Sequence, residues 1–196
     1  MRRLILGTRS PDKVREIRQM LDGLDLQVED LGIHPSAPEV DEDAETFRGN
    51  AEKKALELAQ ALDAWVLADD SGLEVDGLGG EPGVHSHRWA GEACDDQANN
   101  RKLAESIRKV PEPKRTARYR CALALASPDK VEVVVEGACE GRILPEPRGK
   151  GGFGYDPYFL STDLGKTFAE AAPAEKHRVS HRGRALEALR ERLARG

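Results

Sequence analysis

Residues 65–73, Trp-Val-Leu-Ala-Asp-Asp-Ser-Gly-Leu, decide the fold. Trp65 to Ala68 form an apolar run of strand length, and it leads directly into two adjacent carboxylates, Asp69 and Asp70, then Ser71 and Gly72. Upstream of it, Phe47, Ala51, Ala55, Leu58 and Leu62 recur at helical spacing, which predicts a helix over residues 47–62. Leu4 to Leu6 read as a short buried strand. Ser10, Pro11 and Asp12 then announce a helix with a cap, a first-position proline and an early acid, and Val14, Ile17, Met20 and Leu21 supply its apolar face. Helices alternating with short strands point to an α/β fold.

Downstream, Tyr119–Ala126 and Val131–Gly137 flank the turn Ser127-Pro128-Asp129-Lys130, the pattern of an antiparallel hairpin, so the sheet is expected to be mixed. Residues 95–107 read as a helix with Leu103 and Ile107 on one side, and the chain ends in an amphipathic helix carrying Ala185, Leu186, Leu189 and Leu193. With 196 residues, 39% hydrophobic and 33% charged, the chain suits one globular domain over residues 1–196. No apolar run approaches the roughly 20 residues of a membrane helix, and the first apolar stretch is too short for a signal-peptide core. Cys94, Cys121 and Cys139 are an odd count without close pairing, as in a reducing cytoplasm. The net charge of -5 argues against a nucleic-acid-coating protein, so a phosphate-bearing ligand should be small.

Four segments carry chemistry. The loop Thr8-Arg9-Ser10-Pro11-Asp12-Lys13 lies between a strand and a helix N-terminus, where free N–H groups favour an anion, although it lacks the spacing of a Walker A loop. Asp69 and Asp70 follow a strand at the kind of edge where open α/β sheets place their sites. Their oxygens suit magnesium, which is commonly held by one or two carboxylates plus substrate phosphates; one of the two acids instead serves as the base. The acidic run Asp41, Glu42, Asp43, Glu45 precedes the 47–62 helix, on which Asn50 and Lys54 share a face. Last comes Gly149-Lys150-Gly151-Gly152-Phe153-Gly154-Tyr155-Asp156-Pro157, joined by Glu175-Lys176 and Ser180-His181-Arg182-Gly183. An aromatic at a loop tip can stack a base, and a carboxylate can accept from ring N–H groups. Lys176, His181 and Arg182 offer donors suited to a carbonyl at purine position 6, where an amino group would find no acceptor.

In order along nearly the whole chain, these segments resemble the inosine triphosphate pyrophosphatase family. The matching stretches are Thr8 to Lys13, Thr46-Phe47-x-x-Asn50-Ala51-x-x-Lys54-Ala55, Ala68-Asp69-Asp70-Ser71-Gly72-Leu73 and Pro82-Gly83-Val84-x-Ser86-x-Arg88. They continue through Gly151 to Pro157, Glu175-Lys176 and Ser180 to Gly183. The chain departs from the family pattern at Ser10, where asparagine is usual, at His87, where alanine usually precedes the arginine, and at His177 after Glu175-Lys176. The resemblance implies hydrolysis of deaminated purine nucleoside triphosphates to the monophosphate and pyrophosphate with Mg2+. It implies an elongated mixed sheet flanked by helices, two lobes with a nucleotide cleft between them, and a homodimer. Carried over, Asp70 is the catalytic acid that activates water and touches the metal, Glu42 is a second metal ligand, and Lys54 and Asp69 support metal and triphosphate. Thr8, Arg9, Ser10, Lys13 and Ser71 contact phosphate or its neighbourhood, while Phe153, Gly154, Tyr155, Asp156, Lys176, His181 and Arg182 hold the purine. Two rivals are a septum-inhibitor-type pyrophosphatase acting on pyrimidine or modified nucleotides, and a non-catalytic nucleotide or RNA binder using the basic tail. The Phe153 to Asp156 and Ser180 to Gly183 motifs speak against the first. The Asp69-Asp70 pair, which repels phosphate unless a metal intervenes, speaks against the second.

Overall fold

A computed structural model describes residues 2–91 and 93–195. The elements run β1 (Arg2–Leu6), α1 (Pro11–Leu21), β2 (Leu26–Asp30), α2 (Phe47–Leu62), β3 (Val66–Val75), α3 (Asp96–Arg108), β4 (Thr116–Ala126), β5 (Val131–Ile143), β6 (Phe159–Ser161), α4 (Pro173–Val179) and α5 (His181–Arg195). One six-stranded sheet has the order β2-β1-β3-β4-β5-β6. It is mixed, as the hairpin predicts: β1 pairs parallel with β2 and β3, with Leu4 opposite Val28 and Ile5 opposite Val66, whereas β5 and β6 are antiparallel with Ile143 opposite Phe159. Among the described residues no helix is long and apolar enough to cross a membrane.

The chain divides into two compact units. The first comprises the chain up to Asp70, Cys121–Gly137 and the chain from Arg182 onward; the second comprises Ser71–Arg120 and Ala138–His181. In the first unit, Ile17 and Leu21 of α1 and Ala185, Leu186 and Leu189 of α5 pack with Leu4, Leu6, Leu67, Leu123 and Leu125. Residues four apart on each helix thus face one core, as their periodicity requires. Ser10 caps α1 by accepting from Lys13 N, and Thr46 caps α2 by accepting from Gly49 N, so each helix starts where a hydroxyl can satisfy an orphan donor. Helix α2 has the bounds its periodicity predicts. In the second unit Leu73, Val75, Leu103, Ile107, Tyr119, Phe159 and Phe168 form a separate core that is richer in aromatics.

Strand β3 corrects the sequence expectation. The run Trp65–Ala68 was expected to end at the aspartates, but the strand starts at Val66 and continues through Asp69, Asp70, Ser71 and Gly72 to Val75. Turn-forming residue types were outweighed by burial and by sheet neighbours on both sides, since β3 lies between β1 and β4. The hairpin strands are likewise longer than their apolar cores, and the turn closes with Ser127 N donating to Lys130 O at 3.0 Å.

Candidate active site

An extended strand alternates its side chains between two faces, so adjacent Asp69 and Asp70 point in opposite directions. The contacts of the first unit bear this out. Asp69 shares its face with Leu67 and meets α1 and α5: Lys13 Nζ lies 3.2 Å from its Oδ1, and Arg182 Nη2 donates to its Oδ2 at 3.1 Å. Arg182, itself 1% exposed, also donates from Nη1 to Glu16. Asp70 meets α2 instead, its Oδ2 accepting from Asn50 Nδ2 at 2.9 Å. Asn50 Oδ1 in turn accepts from Ala44 N at 2.8 Å, which ties the acidic segment before α2 to the same place. Lys54, one turn along α2, donates from Nζ to Glu42.

These partners set the two carboxyls far apart. Burial alone would raise Asp69, but Lys13, Arg182 and Lys54 overturn it and hold the group well below the usual carboxylate range. Burial pushes Asp70 up to about 6, and the charge of Glu42 adds to the rise, against the opposing pull of Asn50, Lys13 and Lys54. Burial would lower Lys54, yet Glu42 and Asp69 keep it charged, its affinity for the proton raised. One strand thus presents a permanently ionised, structurally paired carboxylate and, next to it, a carboxyl poised for proton exchange near neutrality.

The chemistry of this donor set fits a hard divalent cation. Glu42 and Asp70 are close enough for one charge to disfavour the other, a repulsion that a cation between carboxylates relieves. Among the described residues no three acidic, histidine or cysteine side chains converge, but a pair of carboxylates meets what magnesium asks of a protein when substrate phosphates complete the shell. Around them Thr8 Oγ1 accepts from Ser10 N at 3.2 Å, and Arg9 Nη2 donates to Ala37 O at 3.1 Å, which shapes the loop ahead of α1. Ser71, the first residue of the second unit, is partly exposed on β3.

The second unit assembles the remaining motif residues. Asp156 is 2% exposed; its Oδ2 accepts from Lys176 Nζ at 2.7 Å and from Phe153 N at 3.0 Å. Lys176 Nζ also lies 4.7 Å from the centre of the Phe153 ring. Gly154, at φ +57, is gripped from α3: its N donates to Asp96 Oδ2 at 3.0 Å, and its carbonyl accepts from Asn100 Nδ2 at 2.9 Å. Tyr155 buries its ring and donates from its hydroxyl to Ser86 O at 2.7 Å. His181 is 5% exposed and stacks on Tyr119. Phe153, Gly154, Tyr155, Asp156, Lys176 and His181 therefore belong to this unit, while Arg182, grouped with them from the sequence, belongs to the first unit with Asp69 and Glu16. Glu16 and Tyr119 were not singled out from the sequence. A glutamate on an exposed-looking turn of α1 and a tyrosine in a strand pattern carry no local mark of a role.

The Ham1 family model matches residues 4–192. The chain is 48% identical over 195 residues to a protein of Bacillus cereus named dITP/XTP pyrophosphatase, covering 98% of this chain and 95% of that one. It is 48% identical over 193 residues to a protein of the same name from Geobacter sulfurreducens, covering 98% and 97%. Among solved structures, a HAM1 protein from Coxiella burnetii superposes with a TM-score of 0.90 at 35% identity over 100% of both chains, and the Staphylococcus aureus Ham1 protein with 0.87 at 34% over 98% of both. These matches give the septum-inhibitor alternative no support. The mixed sheet, the ordered motifs and a family match running almost end to end agree: the chain belongs to the Ham1 family.

Proposed function

We propose that this protein hydrolyses non-canonical purine nucleoside triphosphates, of the dITP, ITP and XTP type, to the monophosphate and pyrophosphate, and so clears deaminated purines from the nucleotide pool. The relatives named dITP/XTP pyrophosphatase support the substrate class. The observation that carries the chemistry is the divergence of Asp69 and Asp70, one locked in ion pairs and the other raised to about 6 beside Glu42.

In this reading Asp70 takes a proton from water as the water oxygen forms its bond to the α-phosphorus. The bond from the α-phosphorus to the α-β bridging oxygen breaks, and pyrophosphate leaves with that oxygen. Glu42 and Asp70 would hold Mg2+, which would supply charge neutralisation on the phosphate oxygens. Lys13 and the N–H groups at the start of α1, with Thr8, Arg9, Ser10 and Ser71 nearby in sequence or on β3, receive the phosphates. Lys54 keeps Glu42 oriented, and Asp69 fixes Lys13 and Arg182. In the second unit Phe153 stacks the base, Asp156 accepts from N1–H of a 6-oxopurine, and His181 and Lys176 offer donors to O6. Adenine lacks that N1–H and carries an amino group at position 6, so it leaves these buried groups unpaired. The protein acts in the cytoplasm as a homodimer with nucleoside triphosphate as its partner, and engages neither nucleic acid nor membrane.

The test is pyrophosphate release from dITP beside dATP and dGTP, with Mg2+ and with chelator. Fast, magnesium-dependent release from dITP alone is expected; equal rates on all three, or none, defeat the reading. A second expected result concerns pH. Because the Asp70 carboxyl sits at about 6 in the metal-free protein, a proton must leave before metal enters below that pH. Magnesium affinity measured by calorimetry should fall about tenfold per unit below about pH 6 and level off above pH 7. An affinity flat between pH 5 and 6 takes Asp70 out of the metal site.

A further inference from the structure

Phe153, the aromatic at the tip of the purine loop, sits between two left-handed glycines, Gly152 at φ +69 and Gly154 at φ +57. At Gly154 crowding plays no part, because a Cβ built there would meet nothing within 4 Å. Glycine loses more backbone freedom on ordering than any other residue, so a Phe153 flanked by two of them has many positions open to it unless contacts select one. Asp156 supplies one such contact from the end of the loop, accepting from Phe153 N at 3.0 Å while it also binds Lys176.

Helix α3 supplies others. Both polar groups of the Gly154 backbone end on it: the N–H donates to Asp96 Oδ2 at 3.0 Å, and the carbonyl accepts from Asn100 Nδ2 at 2.9 Å. Asp96 and Asn100 are four residues apart, so they are neighbours on one helix face and grip the glycine together. The next residue is moored to the same helix through one intermediary. Tyr155 donates from its hydroxyl to Ser86 O at 2.7 Å, and Asn99, beside Asn100, holds the adjoining segment by donating to His87 O at 2.9 Å and accepting from Ala90 N at 2.7 Å.

Stability does not explain Asn100. Its Nδ2 is satisfied by Gly154, but its Oδ1 is buried and accepts from no group among the described residues. A buried orphan acceptor is destabilising, and this offsets what a hydrogen bond to a partly exposed glycine returns. What the side chain does supply is a fixed place for Gly154.

Resting on the proposed function, we infer that Asn100 and Asp96 are positioning residues for the base: by fixing Gly154 they hold the Phe153 ring where it stacks a purine. Stacking on an aromatic is tolerant of which base it meets, so loosening this clamp costs all purine substrates alike and leaves the binding of phosphates untouched.

The experiment compares full-length wild type with Asn100→Ala, Asn100→Asp and Asp96→Ala. In the free protein, amide hydrogen exchange of peptides covering residues 149–157 should be about fivefold faster in each variant, with the melting temperature of Asn100→Ala within about 2 °C of wild type. In steady-state hydrolysis of dITP and XTP with saturating Mg2+, KM should rise about fivefold on both substrates, with kcat and the inhibition constant of added pyrophosphate within about twofold. Asn100→Asp keeps the size of the side chain but, as a carboxylate, donates nothing, so its KM should match or exceed that of Asn100→Ala. A wild-type KM in Asn100→Asp would assign the effect to packing and overturn the inference. Loop exchange at the wild-type rate, faster exchange with KM unchanged, or pyrophosphate affinity lost in step with dITP affinity overturns it as well. Wild-type protein that hydrolyses neither dITP nor XTP overturns it together with the underlying function, an outcome visible before any variant is made.

Discussion

Replacing Asp70 with asparagine is expected to cut turnover at least about a thousandfold while making the metal-free protein more stable. The two effects have one origin. Asp70 is 5% exposed and its carboxyl is pushed up to about 6 by burial and by Glu42, so ionising it near neutrality works against folding. For an acid whose folded value is raised, this penalty is absent below the unfolded value, grows as pH climbs from about 4 through about 6, and is constant above. The rise from the ordinary carboxylate range to about 6 corresponds to about 2–3 kcal/mol, so at pH 8 in chelator Asp70→Asn should melt several degrees higher, and the difference should vanish below about pH 4. Asparagine keeps an oxygen for Asn50 Nδ2 to donate to, so the geometry of α2 against β3 survives. Saturating Mg2+ should reverse the order by stabilising the wild type alone. A variant that retains turnover within tenfold, or that melts lower in chelator, contradicts this account of Asp70.

Asp69→Asn should do the opposite to stability. It removes a charge that faces Lys13 at 3.2 Å and Arg182 at 3.1 Å, both partners drawn to a carboxylate with no exposed surface of its own. Breaking a buried ion pair from one side leaves the other charge uncompensated, which costs about 3–5 kcal/mol. Glu16 still holds Arg182, so the lower end applies, about 6–12 °C in melting temperature for a chain of this size. Because the folded value of Asp69 is depressed, its stabilisation is complete above the unfolded carboxylate range and drains away as pH falls below about 4. The gap between wild type and variant should therefore narrow in acid, the same region in which the Asp70→Asn gap closes from the other side. A melt of Asp69→Asn within 2 °C of wild type at pH 7 would show that the ion pairs contribute little.

Much of this was legible in the chain, for identifiable reasons. Helix α2 was readable to its ends because five apolar residues repeat on one face and Thr46 caps the first turn. The hairpin was readable because Ser-Pro-Asp-Lys separates two apolar runs. Strand β2, Leu-Gln-Val-Glu-Asp, was not, since it lies at the sheet edge, is nowhere fully buried and carries charges that hide its alternation. Helix α4 spans one short segment of seven residues, below the length at which a period can be counted. At the site, Asn50 and Lys54 were found by their four-residue spacing, and both do point toward the acids expected there. What no local pattern reveals is division of labour. The different fates of Asp69 and Asp70 depend on Arg182, 113 residues away from Asp69, and on Glu42.

The alternation of β3 also governs which changes of length the chain can survive. Parity, rather than composition, decides which aspartate meets Lys13 and Arg182 and which meets Asn50. Deleting or inserting a single residue between Val66 and Asp69 keeps both acids, yet exchanges the faces they present, turning Asp70 toward the side of Lys13 and Arg182 and Asp69 toward the side of Asn50 and Glu42. A substitution at either position damages one role, whereas an odd change in length abolishes both at once. The stretch from Val66 to Asp70 is therefore a segment whose residue count is as constrained as its identity.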